Sequence, residues 1–351
     1  MAKAANYYYD QLNKVQQKAY YAIKEGLLKL QDSFAVPKLS GKELADIYFL
    51  IRMDCPSIFY SVTFSYRYYA DSSMVEMIPK YLFPKDKIKE HRQAMEARVS
   101  KLARQAEKLD EKGKELFIHD FIVENVKYDK LKKEYSHEII GALGNGVAVC
   151  EGIAKAVKIL CDELNLWCII ALSEANPDKG IKYRHAWNVI RIDGQYYHLD
   201  VTFDNSLSGE GCVRYDYVNL SDKQIFRDHE PVIWKVPACN DNDHFYYKEK
   251  KISWTTLDEV RNRTKQAVKK GKLLLFHWRG GYLTKEVLAQ LLEIFDQEAK
   301  ARDKSAYVSV NWPQAVLRVR FVDGAGEEQL EMEEANEGEK EEFPDCETIR
   351  A

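Results

Sequence analysis

The sequence has 351 residues, enough for two or three domains with buried cores. Hydrophobic residues make up 46% of it, charged residues 30%, and the formal net charge at pH 7 is only -3. Since basic and acidic side chains are interleaved along the chain, its charge favours neither nucleic acid nor an anionic membrane as a partner.

The N-terminus shows no apolar segment of the kind found in signal peptides, and no run in the chain approaches the roughly eighteen apolar residues of a membrane-spanning helix. The seven cysteines are scattered without any Cys-x-x-Cys pair, which argues against a zinc ribbon or a redox dithiol. We therefore expect a cytoplasmic protein with reduced thiols, without a membrane partner, a metal or a cofactor.

Residues 1–110 are expected to form a helical N-terminal region with one hairpin. The evidence is apolar spacing typical of helices, one capping-box pattern, and two β-branched and aromatic runs around turn residues. The predicted elements are a long helix over 6–33, a helix after Ser40-Gly-Lys-Glu43, hairpin strands 57–69 and 74–83, and a helix from Pro84 to about Leu109.

Residues 111–240 change from helical to strand character and are expected to form the catalytic core. The predicted elements are a helix over 113–127, a helix from Cys150 to about Leu164, and strands 167–173, 185–192 and 195–203.

The last third of the chain predicts a small α+β domain over 245–323 and a disordered tail over 324–351, because the tail has nine glutamates between 327 and 342 and little to bury. The elements predicted for the small domain are helices 255–270 and 284–303 with strands 272–278, 306–312 and 316–322.

Asp193-Gly194 is a strong signal for a two-residue hairpin turn. In that register His185 lies opposite Thr202 and diagonal to Asp200. Because side chains alternate between the two faces of a strand, the imidazole and the carboxylate then share a face and can meet. A bulged three-residue loop would instead place Asp200 on the opposite face.

Cys150 follows a Gly-Asn-Gly turn and starts a helical pattern. At a helix start a thiol faces backbone N–H donors and the positive end of the helix dipole, which favour a thiolate. His185 is then the candidate base, and Asp200 the carboxylate that orients and stabilises the imidazolium. Asp204, on the same strand face as Asp200, is the alternative orienting carboxylate.

Three motifs together resemble the core of the transglutaminase-like superfamily of papain-type thiol enzymes, in particular bacterial-type transglutaminase-domain proteins. The resemblance covers roughly residues 113–230. The motifs are Ala148-Val-Cys-Glu-Gly-Ile-Ala154, His185-Ala-Trp-Asn188 and Tyr196-Tyr-His-Leu-Asp-Val-Thr-Phe-Asp204.

The resemblance implies an α+β fold in which a papain-like transglutaminase core packs the cysteine helix on an antiparallel sheet, between a helical N-terminal part and a small C-terminal α/β module. It assigns Cys150 as nucleophile, His185 as base and Asp200 as orienting residue. Phe203 stands where such motifs often carry tryptophan. No ladder of aspartate and asparagine suits a calcium loop, so the sequence does not support a calcium-dependent animal-type transglutaminase.

The implied chemistry is acyl transfer from a protein or peptide amide through a thioester at Cys150. Hydrolysis by a peptidase or amidase is the first expectation, with transamidation of protein glutamine as the alternative. A non-catalytic peptide-binding or scaffold module is the alternative from another class. Trp187 and Gly152 are the candidate substrate-binding residues, since a small residue after the nucleophile lets a substrate backbone approach. The oligomeric state is left open.

Overall fold

The structure, a computed structural model, describes residues 6–209, 211–323 and 347–350. They divide into two compact units that interleave along the chain. Unit 1 contains 6–174, 184–213 and 231–239, and unit 2 contains 175–183, 214–230 and the residues from 240 onward. None of the helices described is both long enough and apolar enough to cross a membrane.

Unit 1 combines six α-helices with eight strands among the residues described. In chain order they are α1 Lys14–Leu28, β1 Phe34–Pro37, α2 Gly41–Asp54, β2 Ser61–Tyr68, β3 Met74–Tyr81, α3 Lys85–Ala106, α4 Glu111–Asn125, β4 Lys127–Tyr128, β5 Val147–Ala148, α5 Cys150–Glu163, β6 Cys168–Ser173, β7 His185–Ile192, β8 Gln195–Leu199 and α6 Val201–Leu207.

The N-terminal part of unit 1 follows the predicted order, with one helix much shorter than expected. The Asn13 side chain accepts from the backbone N–H groups of Val15 and Gln16, and Gln16 reaches back to Asn13. This capping box starts α1 at Lys14, so the helix predicted over 6–33 was wrong at both ends. The predicted hairpin is confirmed, since β2 and β3 pair antiparallel.

The core of unit 1 packs α5 against an antiparallel sheet in which β6, β7 and β8 are neighbours in that order. Every residue of β6 is buried, as predicted for a core strand. Asn188 of β7 donates from Nδ2 to the Ala154 carbonyl of α5 at 3.0 Å, which ties sheet to helix. The expected α+β architecture, with the cysteine helix on an antiparallel sheet, is confirmed.

Unit 1 also shows no break at residue 110, where the sequence suggested the end of an N-terminal region, because α1 to α3 belong to the same compact unit as α5. The buried Tyr8 hydroxyl, for example, donates to the Ile170 carbonyl of β6. Two segments far apart in sequence therefore share one core.

Unit 2 has its own hydrophobic core between two long helices and a sheet. The elements described in unit 2 are β9 Val218–Leu220, α7 Asp222–Ile225, α8 Tyr246–Glu249, β10 Ser253–Trp254, α9 Leu257–Lys270, β11 Leu274–Trp278, α10 Lys285–Lys300, β12 Lys304–Asn311, β13 Val316–Asp323 and β14 Glu347–Arg350. The strand order in the sheet is β10-β11-β13-β12-β14, and the C-terminal α+β elements agree with those predicted to within a few residues.

The acidic tail predicted over 324–351 lies mostly outside the described residues. Its described part, Glu347–Arg350, is the strand β14, which pairs antiparallel with β12 from Tyr307 to Val310. The prediction of disorder was therefore wrong for these four residues.

Candidate active site

Cys150 is the first residue of α5, as the sequence predicts. A π-helical turn, Ile140–Asn145, ends at Gly146, where a φ of 65° favours glycine. The chain then forms the short strand β5 and reaches Val149, the N-cap residue of α5. Val149 makes no side-chain capping hydrogen bond. The N–H groups of the first turn therefore donate to no capping side chain at Val149, and they lie with Cys150 at the positive end of the helix dipole.

The hairpin that carries the histidine has the predicted register. Asp193 and Gly194 form a two-residue turn with positive φ angles of 49° and 86°, as a type I′ turn requires. Ile192 pairs with Gln195 across this turn. The ladder continues only to Asn188, so it does not extend to His185.

Asp200 reaches His185 by a different route from the one predicted. β8 ends at Leu199, and Asp200 is the N-cap residue of α6, so the strand predicted to residue 203 was wrong beyond Leu199 and Thr202 is not paired opposite His185. One carboxylate oxygen of Asp200 accepts from the backbone N–H groups of Thr202 and Phe203 at 2.8 and 3.1 Å. The other lies 2.5 Å from His185 Nε2. The helix start thus fixes the carboxylate that faces the imidazole.

The His185 imidazole lies between a carboxylate and a thiol. Its Nε2 faces Asp200, and the ring also hydrogen-bonds to Cys150. Burial opposes a positive charge, but the charge and hydrogen bond of Asp200, together with Cys150, raise the pKa of His185 to about 10. The ring therefore holds a proton at neutral pH, as an imidazolium paired with the Asp200 carboxylate.

Aromatic rings enclose the same imidazole. Trp187 stacks near His185 with ring centroids 5.8 Å apart at 16°, and Phe203 lies at 4.8 Å. The indole Nε1 of Trp187 donates to His198 Nδ1 at 2.9 Å, and the tryptophan is only 1% exposed. Trp187, a candidate substrate contact by sequence, thus packs inside the protein and shields the histidine from water.

Asp204, the alternative orienting carboxylate, faces another histidine. Its Oδ2 lies 3.2 Å from Nε2 of His119 on α4, whose Nδ1 lies 2.9 Å from Asp120. His119 is fully buried. Burial lowers its pKa, but the hydrogen bonds and charges of the two aspartates prevail and raise it to about 9. Asp204 thus pairs with His119, and Asp200 pairs with His185.

Gly152 lies in the first turn of α5 against backbone, and it is buried. A Cβ at this position would lie 2.2 Å from the Ser136 carbonyl oxygen. The same carbonyl accepts from the Val149 N–H at 3.1 Å. This close packing explains the glycine without reference to a substrate.

The variant Gly152→Ala is expected to destabilise the protein, although alanine is the better helix former. The new methyl group meets a backbone oxygen that cannot rotate away, so overpacking should lower the free energy of unfolding by about 1–3 kcal/mol. Urea unfolding followed by circular dichroism measures this, with Ala156→Gly on the same helix as a control for helix propensity. Unchanged stability would show that the first turn of α5 is looser than its packing indicates.

A buried charge cluster next to Cys150 was not predicted from the sequence. We define it as Arg52, His137, Glu138, Glu151 and Lys155. Lys155 Nζ lies 2.9 Å from both oxygens of Glu138 and 2.8 Å from Glu151 Oε1. Arg52 also pairs with both glutamates, and His137 Nδ1 lies 3.1 Å from Glu151 Oε2. Only the four-residue spacing from Glu151 to Lys155 was a local signal for this cluster.

A helix-borne thiol next to a histidine and an aspartate at an antiparallel sheet is an arrangement that papain-like thiol enzymes share. Residues 100–201 match the family model of the transglutaminase-like superfamily. This segment contains Cys150, His185 and Asp200, and the resemblance drawn from the motifs is confirmed.

Solved structures similar to the chain include one described as a TGase, with 11% identity, a TM-score of 0.26 and coverage of 48% of this chain and 51% of that one. Another is described as a "putative cysteine protease" from Cytophaga hutchinsonii, with 18% identity, a TM-score of 0.27 and coverage of 40% and 62%. The chain thus spans less than two thirds of the length of either. Among curated proteins, none matches it.

Proposed function

We propose that the protein is a cysteine-dependent acyl-transfer enzyme that acts on protein or peptide amides through a thioester at Cys150. The observation that carries the proposal is the hydrogen-bonded series from Cys150 through His185 to Asp200 at the start of α5. The superfamily match supports the class of chemistry, and the raised pKa of His185 supports an imidazolium beside the nucleophile.

In the first half-reaction the Cys150 sulfur attacks the amide carbonyl and forms a tetrahedral oxyanion. The N–H of Cys150, at the first position of α5, is a suitable donor to that oxyanion. His185 then gives its proton to the amine, the carbon–nitrogen bond breaks, and a thioester remains on Cys150. Asp200 keeps the imidazole oriented with Nε2 toward the carboxylate, which leaves Nδ1 to serve the thiol.

In the second half-reaction an acceptor attacks the thioester while His185 takes its proton, the carbon–sulfur bond breaks, and the Cys150 sulfur and the protonated His185 are restored. Water as acceptor gives a carboxylic acid, and a primary amine such as lysine gives a new amide. We favour hydrolysis because water is always available as an acceptor. Transamidation of protein glutamine is the alternative with the same residues.

Incubation with a peptide library, with and without an added primary amine, distinguishes these outcomes by mass spectrometry. We expect acid products that Cys150→Ala abolishes. Amine adducts with loss of ammonia would identify a transamidase instead. Cys212→Ala is the matched control, since Cys212 is also a half-buried cysteine of unit 1. Products that persist in Cys150→Ala would overturn the proposal, and the absence of any product would favour a non-catalytic binding module.

A further inference from the structure

The buried charge cluster joins the N-terminal part of the chain to the residue that follows the nucleophile. Arg52 belongs to α2, outside the segment 100–201 that matches the family model, and its guanidinium lies 3.1 Å from Glu151 Oε1. The side chains of Arg52 and Glu151 are 11% and 15% exposed, and that of Lys155 is fully buried. Glu151, the residue after Cys150, therefore meets both cations in a site with little water.

Stability alone is a weak explanation for such a cluster. Removing charges from water costs several kcal/mol per ion, and apolar side chains of the same volume often stabilise a fold as well or better. Arg52, Lys155, Glu138 and Glu151 contribute two positive and two negative charges, so the cluster is balanced when all four are ionised. Its position beside the first turn of α5 indicates a role at that turn.

We propose that Arg52 is a positioning residue for the nucleophile, which acts through Glu151 to keep the environment of Cys150 favourable for a thiolate. The proposal rests on the nucleophilic role of Cys150 proposed above. Arg52 lies outside residues 100–201, so the proposal gives the N-terminal part of the chain a role at the site.

The physical reason is the charge balance around Glu151. Burial would raise the pKa of this carboxyl, but the charges of Lys155 and Arg52 and the hydrogen bond of His137 hold it well below its usual range. The charge of Arg184, next to the strand that carries His185, also acts on Glu151. Without Arg52, one carboxylate charge in the cluster loses its counterpart, and a negative charge at the adjacent cysteine becomes less favourable.

The test is the rate of Cys150 alkylation by iodoacetamide as a function of pH in the full chain, read by peptide mass spectrometry. The alkylation rate should rise with pH along a curve whose midpoint we compare between variants. In Arg52→Met we expect this midpoint to move to higher pH by about one unit, which slows alkylation below the midpoint about tenfold. Arg52→Lys should keep the midpoint near that of the wild type, because it keeps the charge.

Charge-balanced variants separate this role from a merely structural one. Arg52→Met combined with Glu151→Gln should return the midpoint toward the wild-type value, although it removes two polar partners. Glu151→Gln alone should move the midpoint to lower pH, and it remains informative if Arg52→Met does not fold. A folded Arg52→Met protein with the wild-type midpoint, or a Glu151→Gln protein without a shift, would overturn the inference. Since alkylation needs no substrate, these results are independent of whether Cys150→Ala abolishes product formation.

Discussion

Replacing His185 with asparagine is expected to reduce turnover of an amide substrate by roughly 10³-fold or more. The imidazole hydrogen-bonds to Cys150, and in the proposed mechanism its proton passes to the leaving amine. Asparagine keeps a polar side chain of similar reach but can neither accept nor release that proton. Initial rates on a peptide identified from the library, per mole of folded protein, measure the effect.

The matched control is His91→Asn, which changes a partly exposed histidine of α3 and should leave turnover unchanged. Alkylation at pH 7 gives a second comparison, because the side chains of Cys55 and Cys212 are half-buried, as that of Cys150 is. Iodoacetamide should label Cys150 ahead of both in the wild type and lose that preference in His185→Asn. Turnover that survives the substitution would require a base other than His185.

The second large effect is expected for Asp200→Asn. Asparagine can still accept from the Thr202 and Phe203 N–H groups at the start of α6, so the backbone should stay in place. It cannot supply the negative charge that raises the pKa of His185 to about 10. We expect that pKa to fall by roughly 1–3 units, and an NMR titration of the imidazole, assigned with His185→Asn, measures it.

The same substitution should change the pH dependence of stability with a definite sign. A histidine whose folded pKa is raised from 6.5 to about 10 contributes stability that is complete below pH 6.5 and is lost as the pH rises through 10. The difference in unfolding free energy between wild type and Asp200→Asn should therefore be largest below pH 6.5 and shrink toward pH 10. Each unit of pKa lost corresponds to about 1.4 kcal/mol. A difference that does not vary with pH would mean that Asp200 does not affect stability through the charge of His185.

The hairpin shows how far local sequence determines this site. Asp193-Gly194 admits a two-residue turn with both φ angles positive, and that turn sets the register of every pair up to Asn188. Cys150 was likewise predictable at the start of its helix, because a turn precedes it and helical spacing follows. In both places the signal lies within a few residues of the feature it determines.

Two features had weaker local signals and were missed. The residues after Asp200 have high strand propensity, namely Val201, Thr202 and Phe203. The sequence therefore predicted a continuing strand where Asp200 is the N-cap residue of α6. Tertiary packing overrode that propensity. The contact between Arg52 and Glu138 joins residues 86 positions apart, and no periodicity of one segment contains such information.

The domain boundaries drawn from the sequence remain a prediction, but the compact units differ from them for a physical reason. A change of composition marks where one kind of element gives way to another. It does not show which elements bury each other. Residues 184–213 and 231–239 belong to unit 1, although the segments before each of them belong to unit 2. Only the C-terminal α+β elements, which are contiguous in sequence, were separable by pattern.

The valine at the N-cap of α5 has a thermodynamic consequence. Serine or aspartate at such a position typically stabilises a helix by about 1 kcal/mol, and Val149 forgoes that gain. A polar side chain at Val149 would accept from the N–H of the second or third residue of α5, and it would place its lone pairs beside the Cys150 N–H that the proposed oxyanion needs. The apolar N-cap thus gives up some helix stability and keeps a competing electronegative atom away from the developing negative charge.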